Sequence, residues 1–485
     1  MTMTDTPAVP RDKRWLATIL LCLGELMIVL DTTIVNVALP SIREDLGFSE
    51  SALAWVVNAY MLTYGGFLLL GGRMGDLYGH KRAFLVGIAL FTLSSLACGV
   101  ATSQGFLITA RAIQGLGGAV VSAVALSLII DLFPEPAERA RAMGVYGFVC
   151  AGGGSIGVVA GGVLTNAFHW HWNFLVNIPL GLAVFWLSQK LLPRDAERDT
   201  SQPLDVAGAV TVTSSLLLAV YAIVNGNEAG WQSLQTLGLL AASALLMVGF
   251  LVIESRVAVP LMRLSLFRLR SVAVSNVVGV LWAAAMFAWF FLSALYMQRV
   301  LQYSPLQVGL AFLPANLIMA AFSLGVSAKL VMRFGSRACI AVGMLMVTVG
   351  LALFAFAPVS GNFLTHVLPA MLLLGLGAGM ALNPVLLVAM SEVGPDESGL
   401  ASGMVNTAFM MGGALGLAVL ASIAASRTSD LLAVGQAQTH ALTGGYNAAF
   451  LIGAVFAGFA AALTLLLKPD AQGRDAAAAP AVAGH

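Results

Sequence analysis

Apolar runs long enough to cross a bilayer follow one another along almost the whole chain. A spanning helix takes about 20 apolar residues, and fourteen such stretches can be read, at 15–40, 52–72, 83–102, 105–131, 142–166, 173–192, 205–225, 234–253, 272–297, 306–330, 337–357, 365–390, 400–425 and 446–467. They are continuous rather than alternating, which argues against a membrane β-barrel. Only 10% of the 485 residues are charged, where a water-facing domain carries about 25%. A net charge of +1 offers no basic field for a phosphate backbone, so no nucleic-acid partner is expected. The expected fold class is an all-α integral membrane protein with 14 transmembrane helices.

The basic residues set the expected orientation, because Lys and Arg are retained on the cytoplasmic side of short loops. Of the 24 Lys and Arg residues, twenty fall on one side of the predicted alternation. The other side holds Arg43, Arg299 and Arg427, and Arg111 lies inside a span. This split places both termini in the cytoplasm. The first apolar run is longer than a signal-peptide core and is expected to stay attached. Cys22, Cys98, Cys150 and Cys339 all lie in apolar segments, where a thiol packs as a small hydrophobe. The tail, 468–485, is rich in Ala, Gly and Pro and is expected to be disordered.

Energy sources and catalytic motifs are mostly excluded. None of the five lysines follows a glycine, so no phosphate-binding loop ending in Gly-Lys is present and no ATP-driven pump is expected. Gly153-Gly154-Ser155-Ile156-Gly157 fits a hydrolase nucleophile pattern, but that pattern needs a strand-to-helix turn and this run lies inside an apolar segment. No enzyme is expected. His169 and His171 suggest metal ligands, but with no third ligand nearby in sequence they read as a solvated interfacial pair, and no metal or cofactor is expected.

Charges within spans are costly, at least about 2.5 to 3.5 kcal/mol each at the bilayer centre. Three stand deep: Glu25, Asp31 and Arg111. Asp31 lies about 13 Å of helix below Pro40, and Arg111 about 9 Å below Gly105 at the same face, so the two can pair. Two readings fit them: a structural ion pair joining two helices, or a proton-coupling site. Desolvation favours a neutral acid and a neighbouring guanidinium a carboxylate, so relative movement of the two would load and release a proton. Glu25 has three readings: a second proton site, an anionic contact for cationic substrates, or a neutral acid bonded to a neighbouring helix.

Several motifs, in order, resemble those of one family. Leu30-Asp31-Thr32-Thr33-Ile34-Val35-Asn36, running on to Pro40, looks like the first-helix signature of the fourteen-helix drug:proton antiporter branch of the major facilitator superfamily. Gly72-Arg73-Met74-Gly75-Asp76 with Gly79-His80-Lys81-Arg82 resembles the superfamily's cytoplasmic loop, in which a charge relay holds one conformation and breaks when the other opens. A glycine-tight turn there sets Asp76 beside Lys81 and Arg82, while His80 replaces a usual Arg and weakens the relay. Arg111 with Gln114, Gly115, Gly117 and Gly118 resembles the motif whose Arg is linked to proton transfer. Gly153, Gly157, Gly161 and Gly162 resemble the antiporter glycine motif, with Val158 in place of its proline and a softer kink implied. The run Trp170-His171-Trp172-Asn173-Phe174, through Asn177 to Gly181, resembles the branch's loop into helix six.

The resemblance implies two six-helix halves around a midplane cavity plus two extra helices. The expected organisation is an N-terminal cytoplasmic segment 1–14, a six-helix half 15–192, a linker 193–204, the extra pair 205–253, a linker 254–271, a second half 272–467 and the tail 468–485. Expected substrate-cavity residues are Trp55, Asn58, Tyr60, Gln114, Trp282, Met286, Phe287 and Asn406. The implied activity is export of a lipophilic, sometimes cationic, drug or toxic metabolite in exchange for protons, driven by the proton gradient. A narrow exporter of one self-made antibiotic, lipid or siderophore is the alternative, and an uncoupled channel or receptor the alternative from another class. A monomer in the prokaryotic plasma membrane, contacting lipids, protons and a small substrate, completes the expectation. Nothing in the sequence identifies an accessory periplasmic partner.

Overall fold

A computed structural model describes residues 11–49, 51–133, 135–193, 195, 204–257, 260–393 and 398–467. The tail and most of the first linker lie outside the described residues. Among the described residues sixteen α-helices follow in order: α1 (Arg11–Leu46), α2 (Trp55–Tyr78), α3 (His80–Gly99), α4 (Gln104–Leu132), α5 (Pro136–Ala167), α6 (Trp172–Leu175), α7 (Asn177–Leu191), α8 (Val206–Ala229), α9 (Leu234–Arg256), α10 (Arg270–Arg299), α11 (Pro305–Ala321), α12 (Ser327–Phe334), α13 (Ser336–Ala355), α14 (Leu368–Met390), α15 (Ser398–Ala433) and α16 (Gln438–Leu463). No strand occurs among the described residues.

Twelve helices among the described residues are long and apolar enough to cross a membrane. The stretches expected at 142–166 and 306–330 are helical but fall outside that twelve: the first lies within α5, and the second runs through α11, a π-helical turn at Phe322–Val326 and α12. Gly325 breaks the second with φ 131°. Two boundaries differ from the reading of apolarity alone. The first helix passes through Pro40 to Leu46 and the fifteenth extends to Ala433, because each continues as a polar extension that hydropathy does not mark.

The chain divides into two compact units. Among the described residues the first comprises those within 11–49, 55–217 and 242–261, and the second those within 51–54, 218–241 and 262–467. Each uses the same start for its third long helix. Gly79 (φ +100°) precedes α3 and Gly335 (φ +82°) precedes α13, a left-handed turn that side chains with a Cβ disfavour. Close helix contacts then follow through glycine. In the first unit a Cβ on Gly117 would lie 2.6 Å from the Phe91 nitrogen; in the second, one on Gly343 would lie 2.7 Å from the Gly377 carbonyl. Without aqueous surroundings to drive helices together, such small-residue contacts carry much of the packing.

The extra pair is held by hydrogen bonds between hydroxyls and carbonyls. Ser215 Oγ donates to the Ser243 carbonyl at 2.7 Å and Ser243 Oγ to the Ser215 carbonyl at 2.8 Å. Asp205 caps α8, accepting from the Gly208 N–H at 2.8 Å. Large apolar side chains such as Leu93, Trp186, Leu245 and Phe459 stand exposed, as a lipid-facing surface requires.

Candidate functional site

The first unit encloses a buried polar cluster around Asp31, deep in α1. Asp31 and Arg111 are each 0% exposed, so their charges have only one another and nearby dipoles for solvation. Arg111 Nη1 donates to Asp31 Oδ2 and, at 2.7 Å, to Gln114 Oε1. Gln114 Nε2 returns a bond to Asp31 Oδ1 at 2.8 Å. Asn177 Nδ2, from α7, donates to the same Oδ1 at 3.2 Å and to Ser95 Oγ at 3.0 Å; Ser95 Oγ donates to the Phe174 carbonyl at 2.9 Å. Arg111 Nε finishes its fork on the Val56 carbonyl at 2.9 Å, and its guanidinium lies 4.4 Å from the Tyr60 ring centroid.

Side chains of α4 and α7 therefore converge on the α1 carboxylate, with α2 and α3 one contact further out. An unpaired charge here would be strongly destabilising, and the network supplies the bonds that a buried pair requires. Tyr60 and Gln114, expected to face a substrate cavity, are fully buried members of this cluster. Ser95 and Asn177 belong to it as well. Asn177 falls in a run that resembles the family, but Ser95 does not stand out in sequence, since uncharged hydroxyls are common in membrane helices.

Glu25 occupies a separate position. It is 5% exposed, accepts from Ser122 Oγ at 2.8 Å and is bonded by the Tyr146 side chain. Asn58, one of the expected cavity residues, is fully buried with both amide atoms unpartnered. Trp55 beside it is half-buried. In the second unit Trp282 and Phe287 both pack on Phe409, with centroids 5.2 and 5.8 Å away. Met286 is half-buried and Asn406 exposed.

The glycine row of α5 lies against α1 on the stretch that carries Asp31. A Cβ on Gly153 would lie 2.9 Å from Leu26 Cδ1, one on Gly157 3.1 Å from the Leu30 carbonyl, and one on Gly161 2.7 Å from the Ile34 carbonyl. Gly162 is buried. The helix continues unbroken past Val158, which is itself buried.

At the end of the first unit where α2 meets α3, His80 joins a set of charged side chains. His80 is buried and bridges two helices: Nδ1 lies 2.8 Å from Asp131 Oδ2 on α4 and Nε2 3.2 Å from Asp76 Oδ1. Arg73 approaches Asp76 at 3.8 Å. Lys81 Nζ donates to the carbonyls of Gln189 and Leu192 at 2.7 and 2.8 Å, where the negative end of α7 favours a cation. Asp195 accepts from the Lys81 and Arg82 N–H groups at 2.9 and 3.1 Å, an anion at the positive end of α3. Gly79 leaves room for that carboxylate, and Gly72 beside the loop meets only Ala123, at 3.8 Å.

The opposite end of the first unit brings together residues that lie far apart in sequence. Asp45, from the last turn of α1, joins His169 and His171, so the two imidazoles do have a third candidate ligand within reach. Burial pushes the His171 imidazole below its ordinary value, partly offset by its bond to the Ala101 carbonyl.

The family model described as Major Facilitator Superfamily covers residues 21–417. A puromycin resistance protein of Streptomyces alboniger is 40% identical over 87% of this chain and 84% of its own length. A cephamycin export protein of Amycolatopsis lactamdurans is 39% identical over 85% of each chain, and a multidrug resistance protein of Mycobacterium tuberculosis is 36% identical over 84% of this chain and 76% of its own. A solved bacterial homologue of the human drug peptide transporters shares the fold, with TM-score 0.61 and 16% identity over 93% of this chain and 97% of its own. Its spans and its bacterial relatives make this a multi-pass protein of the plasma membrane. With a family model across most of its length and relatives this close, the chain belongs to the Major Facilitator Superfamily.

Proposed function

We propose that the protein exports lipophilic drugs or toxic metabolites, cations among them, in exchange for protons moving inward. The observation that carries the coupling is the enclosed Asp31–Arg111 pair. A carboxylate whose charge is balanced by one guanidinium and two amides changes its partners when it takes a proton, since the neutral acid no longer holds Arg111 as an ion pair. Protonation of Asp31 releases α4 from α1, and the α5 glycine row gives α1 a surface to slide on. Deprotonation restores the pair. Glu25, bonded to Ser122 on α4, is the second proton site in this reading. No cofactor enters the cycle, and the proton gradient drives it. Fourteen spans with both termini cytoplasmic and the cavity residues Trp55, Asn58, Trp282, Met286, Phe287 and Asn406 belong to the same proposal.

The names of the relatives support export and favour a second reading. Four are named for a single antibiotic, puromycin, cephamycin, tetracenomycin C or lincomycin, which favours a narrow range, whereas the multidrug resistance relative favours the broad one. Expression in a drug-sensitive host separates the two. Protection against several unrelated lipophilic compounds supports broad export, protection against one supports the narrow form, and none against a panel that includes translation and cell-wall antibiotics contradicts both.

A further inference from the structure

Asp45, His169 and His171 meet at one end of the first unit, with one ligand atom from each within 4.8 Å of the others. We infer that these three side chains form a binding site for a borderline divalent cation, Zn2+ foremost, that ties the end of α1 to the connection between α5 and α6. The donor set is the first ground. Two imidazoles and a carboxylate suit Zn2+, which takes three protein ligands and a water in tetrahedral sites.

The hydrogen bonds around the site are the second. His171 Nε2 lies 3.3 Å from the Ala101 carbonyl, which only accepts, so Nε2 carries the ring proton and Nδ1 presents a lone pair. That lone pair faces His169 Nδ1 at 2.6 Å. Two ring nitrogens this close need a proton or a metal between them. Tetrahedral coordination at about 2.0–2.1 Å would set them about 3.3 Å apart, a widening that rotation of the exposed His169 ring supplies.

Trp170 is the third ground, because it grips two of the three ligands. It is fully buried, its indole N–H donates to Asp45 Oδ2 at 2.9 Å, and its ring stacks on His171 with centroids 3.7 Å apart. Metal ligands are held by such outer partners, whose loss typically weakens binding about 10–100-fold. That indole bond engages Oδ2, so the carboxylate keeps a second oxygen, Oδ1, as a ligand atom. The carboxylate also sits in the last turn of a helix, where the helix dipole disfavours an anion and a bound cation relieves it.

The test uses the full chain in detergent, affinity tag removed, stripped with chelator and then dialysed against micromolar Zn2+. One zinc retained per chain, bound at least tenfold more weakly by H169Q and by D45N and about tenfold more weakly by W170F, is the expected result. X-ray absorption of the bound zinc should show two imidazoles and oxygen ligands. H169Q alters an exposed side chain and leaves the fold intact, so its result stands even where W170F unfolds. Zinc retention by H169Q and H171Q equal to that of the parent, or no zinc retained by the parent, overturns the inference. Both outcomes are independent of transport activity, which is not measured.

Discussion

Arg111 makes demands at Asp31 that no other side chain meets. Its fork reaches a carboxylate, an amide oxygen and a backbone carbonyl at once, and a lysine has neither the planar geometry nor the five donors. Arg111→Lys should therefore lose proton-driven transport although the charge is kept. Arg111→Ala leaves Asp31 buried without its counter-charge and should cost about 3–5 kcal/mol of stability, read as a fall in melting temperature in detergent. Asn177→Ala removes one of the bonds to Asp31 and leaves Ser95 Oγ without its amide partner, which should cost about 1–3 kcal/mol and leave some transport. Equal melting temperatures for the parent and Arg111→Ala would contradict the enclosed-pair account.

Among elements, the α1–α5 contact is the one that bears on movement. Gly161 and Gly154 lie on the same helix but face different surroundings. A Cβ at Gly161 would sit 2.7 Å from the Ile34 carbonyl, whereas one at Gly154 meets only Thr33 Cγ2 at 3.9 Å. Gly161→Ala should then destabilise by about 1–3 kcal/mol through overpacking and slow export, and Gly154→Ala should do neither, as thermal melts and efflux rates on the pair would show. The glycine spacing was legible in the sequence because four-residue intervals mark one face of a helix. The partner face on α1 was not, because hydropathy does not say which neighbour a helix meets. His80 shows the same limit: its loop position is readable, but its second partner, Asp131, comes from α4.

For the whole molecule, hydropathy and the cost of intramembrane charge already yield an all-α membrane protein with Asp31 and Arg111 as its most informative residues. The network that completes the pair draws on Gln114, Asn177 and Ser95 from three helices, and no local pattern announces such a meeting. Asp45 and His169 are likewise far apart in sequence, which is why their proximity emerges only from the fold. Topology carries its own prediction: reporter fusions after Ala355 and after Phe334 should report opposite sides, and both termini should report the cytoplasm. Opposite sides for the two termini would refute an even span count.

The most direct measurement is countertransport in liposomes under an imposed pH gradient, with the parent protein and Asp31→Asn reconstituted in parallel and a fluorescent compound taken from those the protein protects against. Gradient-dependent movement by the parent, lost in Asp31→Asn while the variant remains folded, is the predicted result. Undiminished gradient-driven movement in the folded Asp31→Asn protein would contradict a proton cycle built on the Asp31–Arg111 pair.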